Sequence, residues 1–184
     1  GIGVKFNDKH VGTFGEVGIL SYYGNKTMTC GEGGMILTDD DETARKCYRL
    51  KNHGRDQKGV FIHEYIGYNF CFTEMQAAIG ISQMKKLPKI ISKKKKIYER
   101  YYKELGNLDE IEFPYVDSRC NPVYWFTSIT VNDADKLQIF LNNREIQSRR
   151  FFYPLHLQPC YDGVIKLKNR SFKVSEEVYK RNLS

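Results

Sequence analysis

Two short apolar runs set the first constraint on this chain. Val17-Gly18-Ile19-Leu20-Ser21-Tyr22-Tyr23 is nearly all apolar, as a strand covered on both faces would be. Met35-Ile36-Leu37-Thr38 is a second strand-like run. Residues 24–34 between them form a polar loop with Gly31, Gly33 and Gly34, so the two runs are expected to flank it as a hairpin-like pair. The loop holds Lys26. A lysine at the end of a buried strand, with small and hydroxylated neighbours, can be desolvated enough to act as a neutral amine. It can also be a solvated loop lysine like most of the others here, and spacing alone favours that reading. The glycines are read as backbone-geometry residues without chemistry of their own.

The chain has 184 residues, 41% hydrophobic and 14% aromatic, which is enough for one domain with a core or one domain plus part of another. No apolar run approaches the length that crosses a bilayer, so no membrane partner is expected. The start, Gly1-Ile2-Gly3-Val4-Lys5-Phe6, has neither an initiator Met nor a signal-peptide layout, and reads as the interior of something longer. Five scattered cysteines (Cys30, Cys47, Cys71, Cys120, Cys160), none at CxxC spacing, favour reduced thiols in a cytoplasmic setting over a disulfide framework or zinc site. The histidines (His10, His53, His63, His156) form no HxH or HxxxH pair, so no metal is expected.

The formal net charge of +7 is a local feature. Lys85 to Lys103 holds nine basic residues against one acid, Glu99, leaving the rest of the chain at −1. Ile90, Ile97 and Tyr101 recur there at helical spacing, with Lys89, Lys93, Lys96, Arg100 and Lys103 on another face. This reads as a solvated helix face. The alternative, a nucleic-acid-binding module on residues 85–103, lacks interleaved aromatics and known motifs.

Taken in order, residues 1–16 suggest a strand edge and a turn-rich loop. Asp39 with Glu42 has capping-box spacing and predicts a helix to about Leu50. Residues 52–59 are a polar loop, with His53 a loop histidine, and residues 65–70 an aromatic connection. Thr73 with Gln76 predicts a helix from Glu74 that stops at Pro88, with Ala77, Ala78 and Gly80 allowing close packing. A second, basic helix follows from Lys89 to Leu105 and ends at Gly106. Then come a strand over 111–114, a strong strand over 123–131, a helix over 133–143, a strand-like 146–152, an irregular 153–161 and a helix over 171–181. The change of composition after Gly106 suggests two parts: 1–108, the C-terminal part of a larger α/β domain, and 109–184, a small and truncated α+β domain.

Several segments together resemble one family. SYYGNKTMTCGEGGMILTDD looks like the lysine segment of the DegT-type nucleotide-sugar aminotransferases, which use pyridoxal 5'-phosphate. The likeness continues, in order, through Arg49 to Gly54, IGYNF and TEMQAAIG at residues 66–80, and FFYPLHLQPCY at 151–161. The last segment and Tyr124-Trp125-Phe126 are most similar to the perosamine-forming branch. The resemblance implies an α/β fold of the aspartate-aminotransferase type (pyridoxal-phosphate-dependent transferase type I), here with an incomplete large domain and a small α+β C-terminal domain. It implies a homodimer with the site shared between subunits, and amination of a nucleotide-linked 4-keto-6-deoxy sugar with glutamate as donor. Lys26 would be the Schiff-base lysine and proton shuttle, and Ser21 the hydroxyl on the cofactor phosphate. Asn69 would reach the phosphate in the partner subunit. Arg149, Tyr153 and His156 would face the substrate. A relative with histidine in place of this lysine is a dehydratase, so Lys26 favours amino transfer.

Two positions depart from the family pattern. Cys71 stands where arginine is common, two residues after Asn69, and Arg150 stands where proline usually follows Arg149. The phosphate turn, the ring-stacking residue and the aspartate on the pyridine nitrogen have no counterpart in this span. The chain is therefore expected to be part of such an enzyme and inactive alone. The alternative is a non-catalytic fragment or partner subunit.

Overall fold

The computed structural model describes residues 1–57, 59–162 and 171–184. The chain divides into two compact units, Gly1–Lys95 with Val116–Trp125, and Lys96–Tyr115 with Phe126–Ser184. The elements run β1 (Lys5–Phe6), β2 (Lys9–His10), β3 (Gly18–Ser21), β4 (Gly34–Leu37), α1 (Asp41–Lys51) and α2 (Glu74–Leu105). They continue as β5 (Ile111–Glu112), β6 (Cys120–Asn121), β7 (Ile129–Val131), α3 (Ala134–Asn142), α4 (Lys173–Arg181) and β8 (Asn182–Leu183). Every strand pairing among the described residues is antiparallel.

In the first unit β3 and β4 pair along their whole length, from Gly18 opposite Leu37 to Ser21 opposite Gly34. This is the hairpin the two apolar runs predict. β1 pairs with β2 on one side and β6 on the other. The core beneath the hairpin is Tyr22, Met28, Cys30 and Leu87, with Ile2, Leu20 and Ile91 packed against it. Burial pushes the Cys30 thiol and the Tyr22 hydroxyl above their usual pKa values. A Cβ at Gly80 would lie 3.0 Å from Cys30 Sγ, so the small residue expected to allow close packing does so.

Two helix readings need correction. The cap of α1 is Asp40, whose Oδ1 accepts from the Thr43 N–H at 2.7 Å, and not Asp39. The stop predicted at Pro88 does not occur, because α2 runs unbroken through it. Proline removes one N–H from the ladder. Leu87, buried in the core, and Ile91, packed against it, hold the helix on both sides of that gap. The Thr73–Gln76 capping box does form, with Gln76 N donating to Thr73 Oγ1 at 3.2 Å and Thr73 N to Gln76 Oε1 at 3.0 Å. The apolar stripe expected on Ile90, Ile97 and Tyr101 holds only at Ile90. Leu87, Ile90, Ile91, Lys94 and Tyr98 are the more buried positions, while Ile97 and Tyr101 are exposed.

In the second unit β5, β7 and β8 form one sheet in that order, and Val131, Ala134 and Leu183 are buried there. Asp133 caps α3 by accepting from Lys136 N at 2.9 Å. The strand predicted over 123–131 survives only as β7, because Trp125 engages loop groups instead of a ladder. The strand-like 146–152 reduces to Arg149 exchanging two 2.9 Å backbone bonds with Ser184 and a bridge from Arg150 to Leu183. Arg150 has a role of its own. Its guanidinium donates to the Tyr179 and Lys180 carbonyls at the end of α4 and to Asp135 Oδ1 at 2.9 Å. A cation is favoured at a helix C-terminus. Arg150→Ala is expected to lower stability by about 2 kcal/mol, read as a drop in melting temperature.

Among the described residues no helix is long and apolar enough to cross a membrane. None of the five cysteines is paired with another.

Candidate active site

Lys26 lies in the bend that follows β3. Its N–H donates to the Tyr23 carbonyl at 3.0 Å, closing a turn. Met28 and Cys30, just beyond, are buried and anchor the loop to the core. Thr29 Oγ1 donates to the Tyr22 carbonyl at 3.0 Å and accepts from Gly31 N at 2.9 Å, which fixes the return of the chain. The half-buried Lys26 side chain is paired with no carboxylate among the described residues. Its Nζ lies 4.0 Å from the centroid of the Trp125 ring. The Trp125 indole N–H donates to the Asn25 carbonyl at 2.6 Å. The Trp125 carbonyl in turn accepts from Lys94 Nζ at 2.9 Å.

Ser21 ends β3 on the same hairpin and is exposed. Its Oγ accepts from Tyr23 N at 3.4 Å, so its proton points elsewhere. Gly33 has φ of 124°, and a Cβ there would fall 2.4 Å from Phe72 Cε2, so only glycine lets the loop pass so close to that ring. The hairpin therefore offers a primary amine for an aldehyde and a hydroxyl proton for a phosphate oxygen. That donor set fits pyridoxal phosphate at two of its groups.

Asn69 is held on a separate segment. It bridges to Asn52, flanked by Tyr68 N donating to Leu50 O at 2.7 Å and Phe70 N to Lys51 O at 3.0 Å. Cys71 Sγ donates to Lys51 O at 3.4 Å, a backbone contact in place of an arginine. His53 sits in the left-handed region at φ 60°, and its N–H donates to Tyr68 O at 3.0 Å. Arg49 organises this loop. Its guanidinium grips both Asp56 carboxylate oxygens and lies 4.9 Å from the Tyr65 ring centroid. The Arg49 hydrogen bond holds the Asp56 carboxyl below its ordinary pKa of 3.8. The bond is complete above that ordinary value and is lost as pH falls through the lower folded-state value. Amide-exchange protection at His53 and Gly54 is therefore expected to hold down to about pH 4 and fall below it. Asp56→Asn should remove that pH dependence.

The same stretch exposes large apolar side chains, among them Ile66 at 88%, Phe61 at 81% and Met75 at 78%.

In the second unit, Tyr153 packs edge-on against Tyr179, ring centroids 5.1 Å apart. His156 Nε2 meets Glu176 Oε1 at 3.1 Å and the ring stacks on Phe172 at 4.6 Å. Both residues thus rest on α4 or its entry. The Arg149 guanidinium lies 4.1 Å from the Phe126 centroid. Ser21 and Lys26 are brought together on one hairpin, and Tyr153 and His156 both pack against α4 or its entry, while Asn69 and Arg149 each stand on another segment of their unit. Sequence reasoning did not find Trp125 as a partner of Lys26, since 100 residues separate it from Asn25. It also did not find the Arg49–Asp56 pair, for which two opposite charges flanking one polar loop were the available signal.

Among the described residues no three His, Cys, Asp or Glu side chains are grouped to hold a metal ion.

The fold is that of the pyridoxal-phosphate-dependent transferases of the aspartate-aminotransferase type, present in part. S. venezuelae DesV, solved in complex with a ketimine intermediate, matches with a TM-score of 0.89 and 28% identity, over 99% of this chain and 49% of that one. An E. coli GDP-4-keto-6-deoxy-D-mannose-3-dehydratase with bound hydrated PLP matches with a TM-score of 0.82 and 25% identity, over 98% of this chain and 52% of that one. The sequence model of the DegT/DnrJ/EryC1/StrS aminotransferase family covers residues 1–184, and the chain belongs to that family. A GDP-perosamine synthase of Vibrio cholerae is 41% identical over 166 residues, which are 88% of this chain and 45% of that protein. The chain spans about half the length of the curated relatives it matches.

Proposed function

We propose that this chain carries the cofactor-attachment lysine of a pyridoxal-phosphate-dependent aminotransferase acting on a nucleotide-linked 4-keto-6-deoxy sugar, of the perosamine type, with glutamate as amino donor. The observation that carries the reading is Lys26. It is a half-buried amine with no carboxylate partner among the described residues, on a bend anchored by buried neighbours, five residues after a serine with a proton to donate.

When bound, the cofactor supplies the electron sink that amino transfer requires. The chain's own residues supply the rest. Lys26 Nζ holds the cofactor covalently and, once released, takes a proton at Nζ from one carbon and returns it to another. Ser21 Oγ–H donates to a phosphate oxygen and fixes the end of the cofactor away from the amine. The Asn69 amide donates to the phosphate held by a neighbouring subunit, in a homodimer whose site is shared. The exposed apolar side chains of Phe61, Ile66 and Met75 support a covering partner. Arg149 supplies positive charge for the nucleotide diphosphate, and Tyr153 and His156 meet the sugar. The division into a large-domain part, residues 1–108, and a small domain, residues 109–184, belongs to the same reading, as does a cytoplasmic location.

Nitrogen transfer tests the substrate assignment. With 15N-glutamate, pyridoxal phosphate and a GDP-linked 4-keto-6-deoxy sugar, the chain alone is expected to transfer no label. Supplemented with the large-domain half of a relative, it is expected to give a 15N-labelled 4-amino sugar. Transfer by the chain alone would contradict its expected inactivity. No transfer in the supplemented mixture would contradict the substrate assignment.

A further inference from the structure

The contact between Trp125 and the Lys26 bend does more than fill space. Trp125 is the only tryptophan of the chain. It reaches the bend from the far end of the first unit's sequence and holds it in two ways. Its N–H takes the Asn25 carbonyl at 2.6 Å, and its ring face takes the Lys26 ammonium, 4.0 Å from the centroid. A third bond, from Lys94 Nζ to the Trp125 carbonyl at 2.9 Å, ties the indole's own backbone to α2, the helix that carries Leu87 of the core. The bend itself has only one short-range backbone bond at Lys26, to Tyr23. Four freely rotating bonds separate the Lys26 amine from that backbone, and no carboxylate among the described residues restrains it. Among the described residues the indole is the one group seen to fix where the amine stands.

We propose that Trp125 is a positioning residue for Lys26: its indole N–H pins the bend through Asn25 while its ring face holds the amine at one place until an aldehyde takes it. This rests on the reading of Lys26 as the cofactor-attachment lysine. The ring contact is the right strength for a holding role. A cation–π contact at a partly exposed site is weak enough to be exchanged for a covalent bond, yet directional enough to narrow the amine's positions. The N–H bond to Asn25 survives that exchange, so the bend stays pinned while the amine reacts. Lys94 sets the height of the indole, which gives one residue of the long basic helix a defined task.

Two reagents with opposite demands test this on the intact chain. Acetic anhydride needs only access to the amine, whereas pyridoxal phosphate followed by borohydride needs the amine in place. Lys89 and Lys103, both exposed, serve as internal references in peptide mapping. In Trp125→Leu, Lys26 is expected to be acetylated about three-fold faster relative to the references, since the ring no longer covers it. The same variant is expected to trap about five-fold less pyridoxyl group on Lys26, since the bend is no longer pinned. Trp125→Phe keeps the ring and loses the N–H bond, so its acetylation rate should stay near the wild type while trapping falls. Far-ultraviolet circular dichroism verifies that both variants are folded. A packing role alone would move both reactions in the same direction. Such parallel movement, or no change in either, overturns the proposal. If wild-type Lys26 traps no more cofactor than the reference lysines, the reading of Lys26 fails and this inference falls with it. The acetylation arm, which needs no cofactor, then shows that the failure lies in the reading and not in the ring contact.

Discussion

Gly54→Ala is expected to collapse the loop that presents Asn69. Gly54 has φ of 78°, and a Cβ built there would lie 1.7 Å from the Tyr65 carbonyl oxygen. The opposing glycine is no more forgiving, since a Cβ on Gly67 would lie 2.0 Å from Gly54 N. Two backbones cross here at a distance that only glycine on both sides permits. Neither atom is the end of a flexible side chain, so the clash cannot be relieved by a rotamer change. The crossing must open. That breaks the 2.8 Å bond from Gly54 N to Arg49 O and the 3.0 Å bond from His53 N to Tyr68 O. The expected cost is about 4 kcal/mol, in the range reserved for strain and lost networks together. Gly59→Ala is the control. Its φ is 87°, but nothing stands within 4 Å of its Cβ position, so only the left-handed penalty of about 1 kcal/mol applies. Thermal melts of the two variants should differ accordingly. A Gly54→Ala melt matching that of Gly59→Ala would show that the crossing does not exist in solution.

Lys26→Ala is the second large effect, and its target is chemistry. On the proposed reading, removing the amine removes both the covalent hold on the cofactor and the proton carrier, two tasks that no neighbouring side chain among the described residues can assume. Thr29, Ser21 and Trp125 offer no amine, and Lys94 is engaged at the Trp125 carbonyl. Amino transfer in the supplemented enzyme is expected to fall by about a thousand-fold or more. Stability should change little, because among the described residues the Lys26 side chain contributes one cation–π contact and no ion pair. Lys26→Arg restores the positive charge over the ring without a nucleophilic amine, so it should keep the fold and remain as inactive as Lys26→Ala. Recovery of activity in Lys26→Arg would mean that charge, and not nucleophilicity, is what the position supplies.

Much of the first unit was legible because its signals are local. The hairpin of β3 and β4 follows from two apolar runs and the turn between them, and the Thr73–Gln76 box marks the start of α2 at the right residue. The errors came where tertiary contacts overrode a local signal. Pro88 is a helix stop by every local rule, and it is overruled by Leu87 and Ile91 packing on either side of it. Residues 123–128 have the composition of a strand, but Trp125 is drawn to Asn25 and Lys26. The apolar stripe of α2 is only partly legible because a helix rich in lysine offers several rows that look alike, and only contact with Gly3 and the core selects the one through Ile91. The candidate site shows the same division. Ser21 and Lys26 share one short segment and could be read together. Trp125 could not be assigned to them without coordinates, and Arg150, which looked only like a departure from a family pattern, proves to cap α4.

The central claim is that Lys26 is the amine that takes the cofactor. Incubation of the chain with pyridoxal phosphate, borohydride reduction and peptide mapping by mass spectrometry measure it directly. The account predicts a phosphopyridoxyl group on Lys26 at a concentration that leaves Lys89, Lys93 and Lys103 unlabelled. Label spread over the exposed lysines of α2 with Lys26 unmodified would contradict it.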